Sequence, residues 1–376
     1  MDVEAEPLER LRLRTSAKWR LFPPDVLPLF VAEMDYPLAP PIARRLHELI
    51  DLNDSGYIAS PQEVGVAFAA FAQRRWDWRL DPSAVRVTTD VSVGIVETLR
   101  RVIAPGDGVV ITSPVYAPFF DLVTEAGGVV VDVPLIPGGL DVEGIERALE
   151  RGARAVLISS PHNPLGLIHS RGSLIALADA AAQQGATVVS DEIHGPLVHI
   201  GQEFVPFLSV SAEAREWGIT VTSASKAFNL AGFKCALMIA GSDRGLAALD
   251  GMYDEVEFRT SIVGYHASVA AFTESDEWLD GAVTAITAAA HDLDELLAEH
   301  LPSVIYRPPA ASYLGWIDFR PLGWGDDPAQ RALDVARVAL NSGLTFGPQG
   351  AGFARLNFAC SPEVLTEAIT RLAGAR

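Results

Sequence analysis

Ile219-Thr220-Val221-Thr222-Ser223-Ala224-Ser225-Lys226 decides the fold. Residues 219–222 read as a short apolar strand, and the Ser/Ala turn after it delivers a lysine at the strand's carboxyl end. The same figure recurs upstream. An apolar strand over 108–112 runs into Ser113-Pro114-Val115-Tyr116. Another over 155–159 runs into Ser160-Pro161-His162-Asn163-Pro164, and a third over 187–190 into Asp191-Glu192-Ile193-His194. Helical patterns alternate with them at 92–103, 116–126, 142–151 and 174–184, with further strands at 129–134 and 236–240. Continuous apolar strands between helices predict an α/β fold whose mostly parallel sheet is covered on both faces. Ligands of such sheets sit at the carboxyl ends of the strands, so an aromatic, an amide, a carboxylate and a lysine are expected at one rim.

The pattern changes near residue 274. A long helix is expected over 276–299, then a strand at 311–319, a helix at 328–341, a strand at 353–358 and a helix at 362–373. This predicts a smaller α+β domain. The Pro-rich stretch 22–41 reads as an extended arm, followed by a short helix at 43–50. The expected organisation is a large domain over 45–275, with residues 1–44 and 276–376 forming the N-terminal arm and small domain.

Composition narrows the function classes. A net charge of −19 argues against a nucleic-acid or anionic-membrane binder, since both need basic patches. The two cysteines, Cys235 and Cys360, cannot build a disulfide framework. The beginning, MDVEAEPLERLRLR, lacks an apolar h-region, and no run of about 18 apolar residues could span a bilayer. A cytoplasmic protein acting on a small molecule is the expectation. Asp191, Glu192, His194 and His199 show no His-Glu-x-x-His or paired-cysteine spacing, so no metal is expected. No Gly-x-Gly-x-x-Gly follows a strand, which leaves a nicotinamide enzyme unsupported. Ser223-Ala224-Ser225-Lys226 fits Ser-x-x-Lys, but the Ser-Asp-Asn and Lys-Thr-Gly partners of that nucleophile pattern do not occur.

The rim residues match the needs of pyridoxal phosphate. That cofactor requires a lysine to bond it and a carboxylate to keep its ring nitrogen protonated. It also requires a donor for the ring hydroxyl, a flat side chain over the ring, and amides, hydroxyls and a cation for the phosphate. Lysine is scarce here, occurring only as Lys18, Lys226 and Lys234.

The chain resembles the fold-type-I pyridoxal-phosphate enzymes of the aminotransferase class I/II superfamily, and most of all their cystathionine β-lyase branch. The resemblance runs nearly end to end through Lys18-Trp19, Val31-Ala32-Glu33-Met34-Asp35-Tyr36, Gly56-Tyr57, Pro105-Gly106-Asp107 and Pro114-Val115-Tyr116-Ala117-Pro118-Phe119. It continues through Pro161-His162-Asn163-Pro164-Leu165-Gly166, Asp191-Glu192-Ile193-His194, Ser225-Lys226-Ala227-Phe228-Asn229-Leu230-Ala231-Gly232 and Phe353-Ala354-Arg355-Leu356-Asn357. Each motif is weak alone; their order and spacing together are specific.

The resemblance implies an aspartate-aminotransferase-like large domain and a role for each matched residue. Lys226 becomes the Schiff-base lysine and the carrier of the Cα proton. Asp191 faces the ring nitrogen, Asn163 and His194 the ring oxygen, and Tyr116 the ring face. Val91, Ser92, Ser223, Ser225 and Lys234 hold the phosphate, joined by Tyr57 of the neighbouring subunit in a homodimer with shared sites. Arg355 takes the substrate α-carboxylate, with Asp35 and Tyr36 also at the substrate. Asp90 stands where such enzymes typically carry glycine. Glu33 replaces a common aspartate, and Glu257-Phe258-Arg259-Thr260 replaces a segment that commonly carries asparagine, which bears on substrate choice. The implied reaction is cleavage of the Cβ–S bond of cystathionine or another S-substituted cysteine. The alternatives are an aminotransferase, or a cofactor-binding regulatory module without turnover.

Overall fold

The apolar runs bounded by helices do form a sheet. In a computed structural model, which describes residues 1–375, the chain begins with an arm carrying the short strand β1 (Leu27–Pro28). The large sheet follows: β2 (Val85–Thr88), β3 (Gly108–Ile111), β4 (Val129–Asp132), β5 (Ala153–Ser159), β6 (Thr187–Asp191), β7 (Gly218–Thr222) and β8 (Ala236–Ala240). Its spatial order is β2-β8-β7-β6-β5-β3-β4. Neighbours from β7 to β4 run parallel, while β8 is antiparallel to both β2 and β7. β6, β7 and β8 are buried at every position, as strands of a sheet covered by helices on both faces must be.

Local signals set the helices that cover the sheet. Arg171–Gln184 begins at Ser170, whose Oγ accepts from Ser173 N at 3.1 Å, and stops at Gly185 in the left-handed region at φ 65°. Such a hydroxyl cap contributes about 1 kcal/mol. Asp141 and Ser242 cap two further helices in the same way.

The small sheet follows the long helix Asp276–His300. Its strands are β9 (Ile305–Tyr306), β10 (Leu314–Asp318), β12 (Asn341–Ser342) and β13 (Phe353–Asn357), in the order β12-β13-β10-β9 and antiparallel throughout. A separate short strand, β11 (Val338–Ala339), pairs in parallel with β1, so the arm is tied to this part of the chain.

One expected element differs. The helix over 328–341 breaks early: Pro328–Arg331 is α-helical, Ala332–Ala336 widens into a π turn, and Arg337 turns left-handed at φ 57°. The residues beyond are drawn into strands β11, paired with β1 some three hundred residues earlier, and β12, paired with β13. Long-range pairing here overrides a helical pattern. The two longest helices without a sequence expectation, Gln62–Trp76 and Ile262–Glu274, pack on each other beside the sheet.

Candidate active site

Register brings the chemistry to one level. Ser159 at the end of β5 lies opposite Asp191 on β6, and Asp191 lies opposite Val221 on β7. The chain beyond each strand therefore leaves the sheet at the same rim. A cleft of about 480 Å³ opens there. Its floor holds Tyr116, Asn163, Asp191, His194, Ser225 and Lys226 from the large sheet. Phe30, Val31 and Ala32 of the arm form one wall, and Asn341, Phe346 and Arg355 of the small sheet another. A larger hollow, about 980 Å³, lies between the N-terminal segment and the long helix, but it has no lysine and none of the rim residues.

Lys226 sits half-buried on the one-turn helix Ala224–Ala227 and donates from Nζ to the Ala32 carbonyl at 2.9 Å. Burial pushes its amine down to about 8, helped by the positive charge of Arg355. Asp191 is buried, and its one hydrogen-bond donor among the described residues is Ile193 N at 3.2 Å. Desolvation pushes its carboxyl up to about 7, against the pull of that amide and of Lys226. Glu192 beside it is already satisfied: its Oε1 accepts from Phe207 N at 2.7 Å and from Ser190 Oγ at 3.0 Å. Its task is structural, while Asp191 lacks a strong partner.

His194 is buried, and desolvation drives its imidazole down to about 3, so the ring is neutral; its Nδ1 has no partner among the described residues. Asn163 lies on the loop after β5. Its Oδ1 accepts from Arg355 Nη1 at 3.1 Å, which fixes the amide orientation and leaves Nδ2 as a donor. Gly166 secures that loop at φ 58°: its carbonyl takes Ala310 N at 3.0 Å and Ala311 N at 3.1 Å, and a Cβ there would meet Pro309. Arg355, on β13, is buried over the Phe346 ring, 5.0 Å from its centroid. Its Nη2 donates to Phe30 O at 3.0 Å, and its Nε has no partner. Two of five N–H groups are thus engaged. Burial pulls its pKa down to about 10, which still leaves it charged at neutral pH.

At the far end, Val91 and Ser92 open the helix Val91–Val102, where unpaired amides favour an anion. Lys234 stands beside them in the left-handed region at φ 62°. Its Nζ pairs with Asp90 Oδ2 at 2.9 Å, and Asp90 Oδ1 caps the same helix by accepting from Val93 N at 2.9 Å. Ser225 lines the cleft. Ser223 does not; it braces the lysine turn, donating to Cys235 O at 2.6 Å and accepting from Ser225 N at 3.1 Å.

Two expected substrate residues lie outside the cleft. Asp35 is fully buried away from the cleft, paired with Lys18 Nζ at 2.7 Å, and Tyr36 packs in the core. Both follow the arm past its contact with the site, and the pull of Lys18 turns the carboxylate inward. Tyr57, expected at the neighbouring subunit's site, is 84% exposed in a surface loop outside its own chain's cleft.

Other residues that matter here carried no sequence expectation of their own. Each carbonyl from Phe30 to Met34 is held by a side chain. Arg355 takes Phe30 O, and Asn357 Nδ2 reaches both Val31 O and Glu33 O at 2.7 Å. Tyr313 Oη donates to Ala32 O at 3.0 Å, and Lys18 Nζ to Glu33 O at 3.0 Å. Asn229 grips Met34 reciprocally, Nδ2 to its carbonyl and Oδ1 from its amide, both at 2.9 Å. Asn229 and Asn357 belong to motifs legible in the sequence; Tyr313 has no local signal.

The donor set suits pyridoxal phosphate. A buried carboxyl raised for want of a cation fits a protonated ring nitrogen, and a depressed lysine fits covalent attachment. The orphaned His194 Nδ1 and the free Asn163 amide suit a ring oxygen, and an amide-rich helix end with a lysine suits a phosphate ester.

Comparison with known proteins agrees with this chemistry. The family model "Aminotransferase class I and II" matches residues 25–372. A Mycobacterium tuberculosis protein provisionally named cystathionine beta-lyase is 42% identical, over 98% of this chain and 97% of its own. The cystathionine beta-lyase of Corynebacterium glutamicum is 34% identical over 97% of this chain and 98% of its own. Cystalysin from Treponema denticola, whose crystal structure contains pyridoxal 5'-phosphate, superposes with a TM-score of 0.93 at 26% identity, over 100% of this chain and 98% of its own.

Proposed function

The chain belongs to the class I and II aminotransferase family, and on that footing we propose that it is a pyridoxal-phosphate-dependent carbon–sulfur β-lyase. Its substrate is cystathionine or another S-substituted cysteine, converted with one water to a thiol, pyruvate and ammonia. The observation that carries the chemistry is the convergence of Lys226, Asp191 and Arg355 on one cleft. The choice of elimination follows the relatives, which are named for it across nearly their whole length.

Pyridoxal phosphate, when bound, supplies an electron sink for the charge that builds at the substrate Cα. The chain does the rest. Arg355 offers its unengaged N–H groups to the α-carboxylate, a planar fork meeting a planar acceptor. Lys226 is the attachment point, and its depressed amine is neutral often enough near neutral pH to receive the Cα proton at Nζ. Asp191 would supply the negative charge that keeps the ring nitrogen protonated. Asn163 Nδ2 and the neutral His194 would hold the ring oxygen, and Tyr116 would cover the ring. Val91, Ser92, Ser225 and Lys234 would hold the phosphate, with Ser223 bracing the turn.

A cytoplasmic homodimer completes the reading. The exposed Ile50, Leu52 and Tyr57 flank one surface loop and favour a covered face there, from which Tyr57 would enter the partner's site.

Purified protein given L-cystathionine without a keto acid tests the proposal. Pyruvate and ammonia in equal amounts are expected. Turnover only after a keto acid is added would replace elimination with transamination. A yellow protein that turns over cystathionine neither with nor without a keto acid would favour a regulatory module. A colourless, borohydride-insensitive protein would overturn the cofactor assignment.

A further inference from the structure

One anion is built into the end of the cleft that suits an anion. Asp90 satisfies both positive features there with one carboxylate: Oδ2 pairs with Lys234 Nζ at 2.9 Å, and Oδ1 takes Val93 N at 2.9 Å from the helix Val91–Val102. Apart from Lys226 and Arg355, Lys234 is the one lysine or arginine lining the cleft among the described residues. Asp90 also lines it, and its side chain is 33% exposed, so the carboxylate faces the cavity and is not sealed beneath it.

Resting on the cofactor reading above, we propose that Asp90 is an internal competitor of the cofactor's phosphate and sets how tightly the holoenzyme retains pyridoxal phosphate. A phosphate ester arriving at this end meets a cation already neutralised and a helix terminus already capped. It also adds its charge beside a fixed carboxylate, and like charges at short range repel. Lys234 must divide its attraction between two anions, and as a compact point charge with three N–H donors it can contact both. The covalent bond at Lys226 is unaffected, so the cost falls on affinity and residence and not on the chemistry.

Asp90→Asn isolates the charge, because asparagine caps a helix as well as aspartate does. Wild type and D90N holoenzymes are diluted through a concentration series, and free cofactor is measured in the ultrafiltrate. Loss of a part-exposed ion pair and of one like-charge contact predicts a Kd for pyridoxal phosphate lower by about three- to tenfold in D90N. Pyridoxal, which lacks the phosphate, should bind both proteins equally. A D90N Kd equal to or higher than wild type would overturn the proposal and make Asp90 an orienting partner of Lys234. An equal tightening for pyridoxal would also overturn it, since the effect would not be on phosphate. A wild-type protein that binds no pyridoxal phosphate at all would instead overturn the cofactor reading on which the proposal rests.

Discussion

Lys226 and Tyr313 donate to the same oxygen. The Ala32 carbonyl accepts Lys226 Nζ at 2.9 Å and Tyr313 Oη at 3.0 Å. Tyr313 is wholly buried, and its hydroxyl therefore fixes the acceptor against which the free amine of Lys226 rests. Tyr313→Phe should lower stability by about 0.5–1.5 kcal/mol, read as a shift in the denaturation midpoint. It should also reduce turnover while leaving the amount of bound cofactor unchanged. Full retention of turnover would show that the carbonyl is positioned without it.

The depressed amine of Lys226 has a kinetic consequence. Covalent attachment of the cofactor needs the neutral amine. The neutral fraction grows with pH, and lowering the pKa from 10.5 to about 8 moves that growth down the scale. The rate at which stripped protein recaptures pyridoxal phosphate should rise with pH and level off just above about 8. A rate still climbing steeply at pH 10 would contradict the burial argument.

Asp191 makes an opposite prediction for stability. Its folded pKa of about 7 lies above the ordinary 3.8, so between those values the folded chain holds a proton that the unfolded chain releases. Its contribution to stability is full below about 3.8 and is lost as pH rises through about 7. In cofactor-free protein, the stability of Asp191→Asn relative to wild type should therefore climb across that window and then flatten. Bound cofactor, by offering a cation to the carboxylate, should shrink the effect. Unfolding free energies of both proteins against pH test the sign.

Lys18 and Asp35 form an ion pair at 2.7 Å with both side chains 1% exposed. Burial pushes the Asp35 carboxyl upward despite the lysine beside it. Removing one partner leaves a buried charge unmatched, so Lys18→Met should destabilise by about 3–5 kcal/mol. Lys18→Met combined with Asp35→Leu should recover much of that loss. Equal losses in the single and double variants, by chemical denaturation, would refute the pairing argument.

The sheet was legible because its strands are continuous apolar runs, and β8 was placed residue for residue at Ala236–Ala240. The rim residues were legible for the same reason: once the strand ends are known, the chain beyond them must leave the sheet together. The Ile262–Glu274 helix was not, since Gly264, Tyr265, Ala267, Ser268, Ala270, Ala271 and Phe272 are all buried and no single apolar stripe marks it. Asp35 and Tyr36 were assigned by their neighbours in sequence, but a side chain's direction along an irregular arm depends on partners such as Lys18. Tyr313 could not be found from sequence, because its role exists only once the arm has folded across the small sheet.

That arm also imposes an order of events on synthesis. Phe30 and Val31 emerge early, yet Arg355 and Asn357, which hold their carbonyls, emerge near the end. At roughly 5–20 residues per second, the growing chain carries these carbonyls unclaimed for about 16–65 s. Strand β1 waits likewise for β11. The cleft therefore closes late, and a nascent chain stopped before Arg355 should have a complete large sheet and a protease-sensitive arm. Digestion of ribosome-stalled chains of increasing length should show the arm becoming protected only after residue 357 clears the exit tunnel.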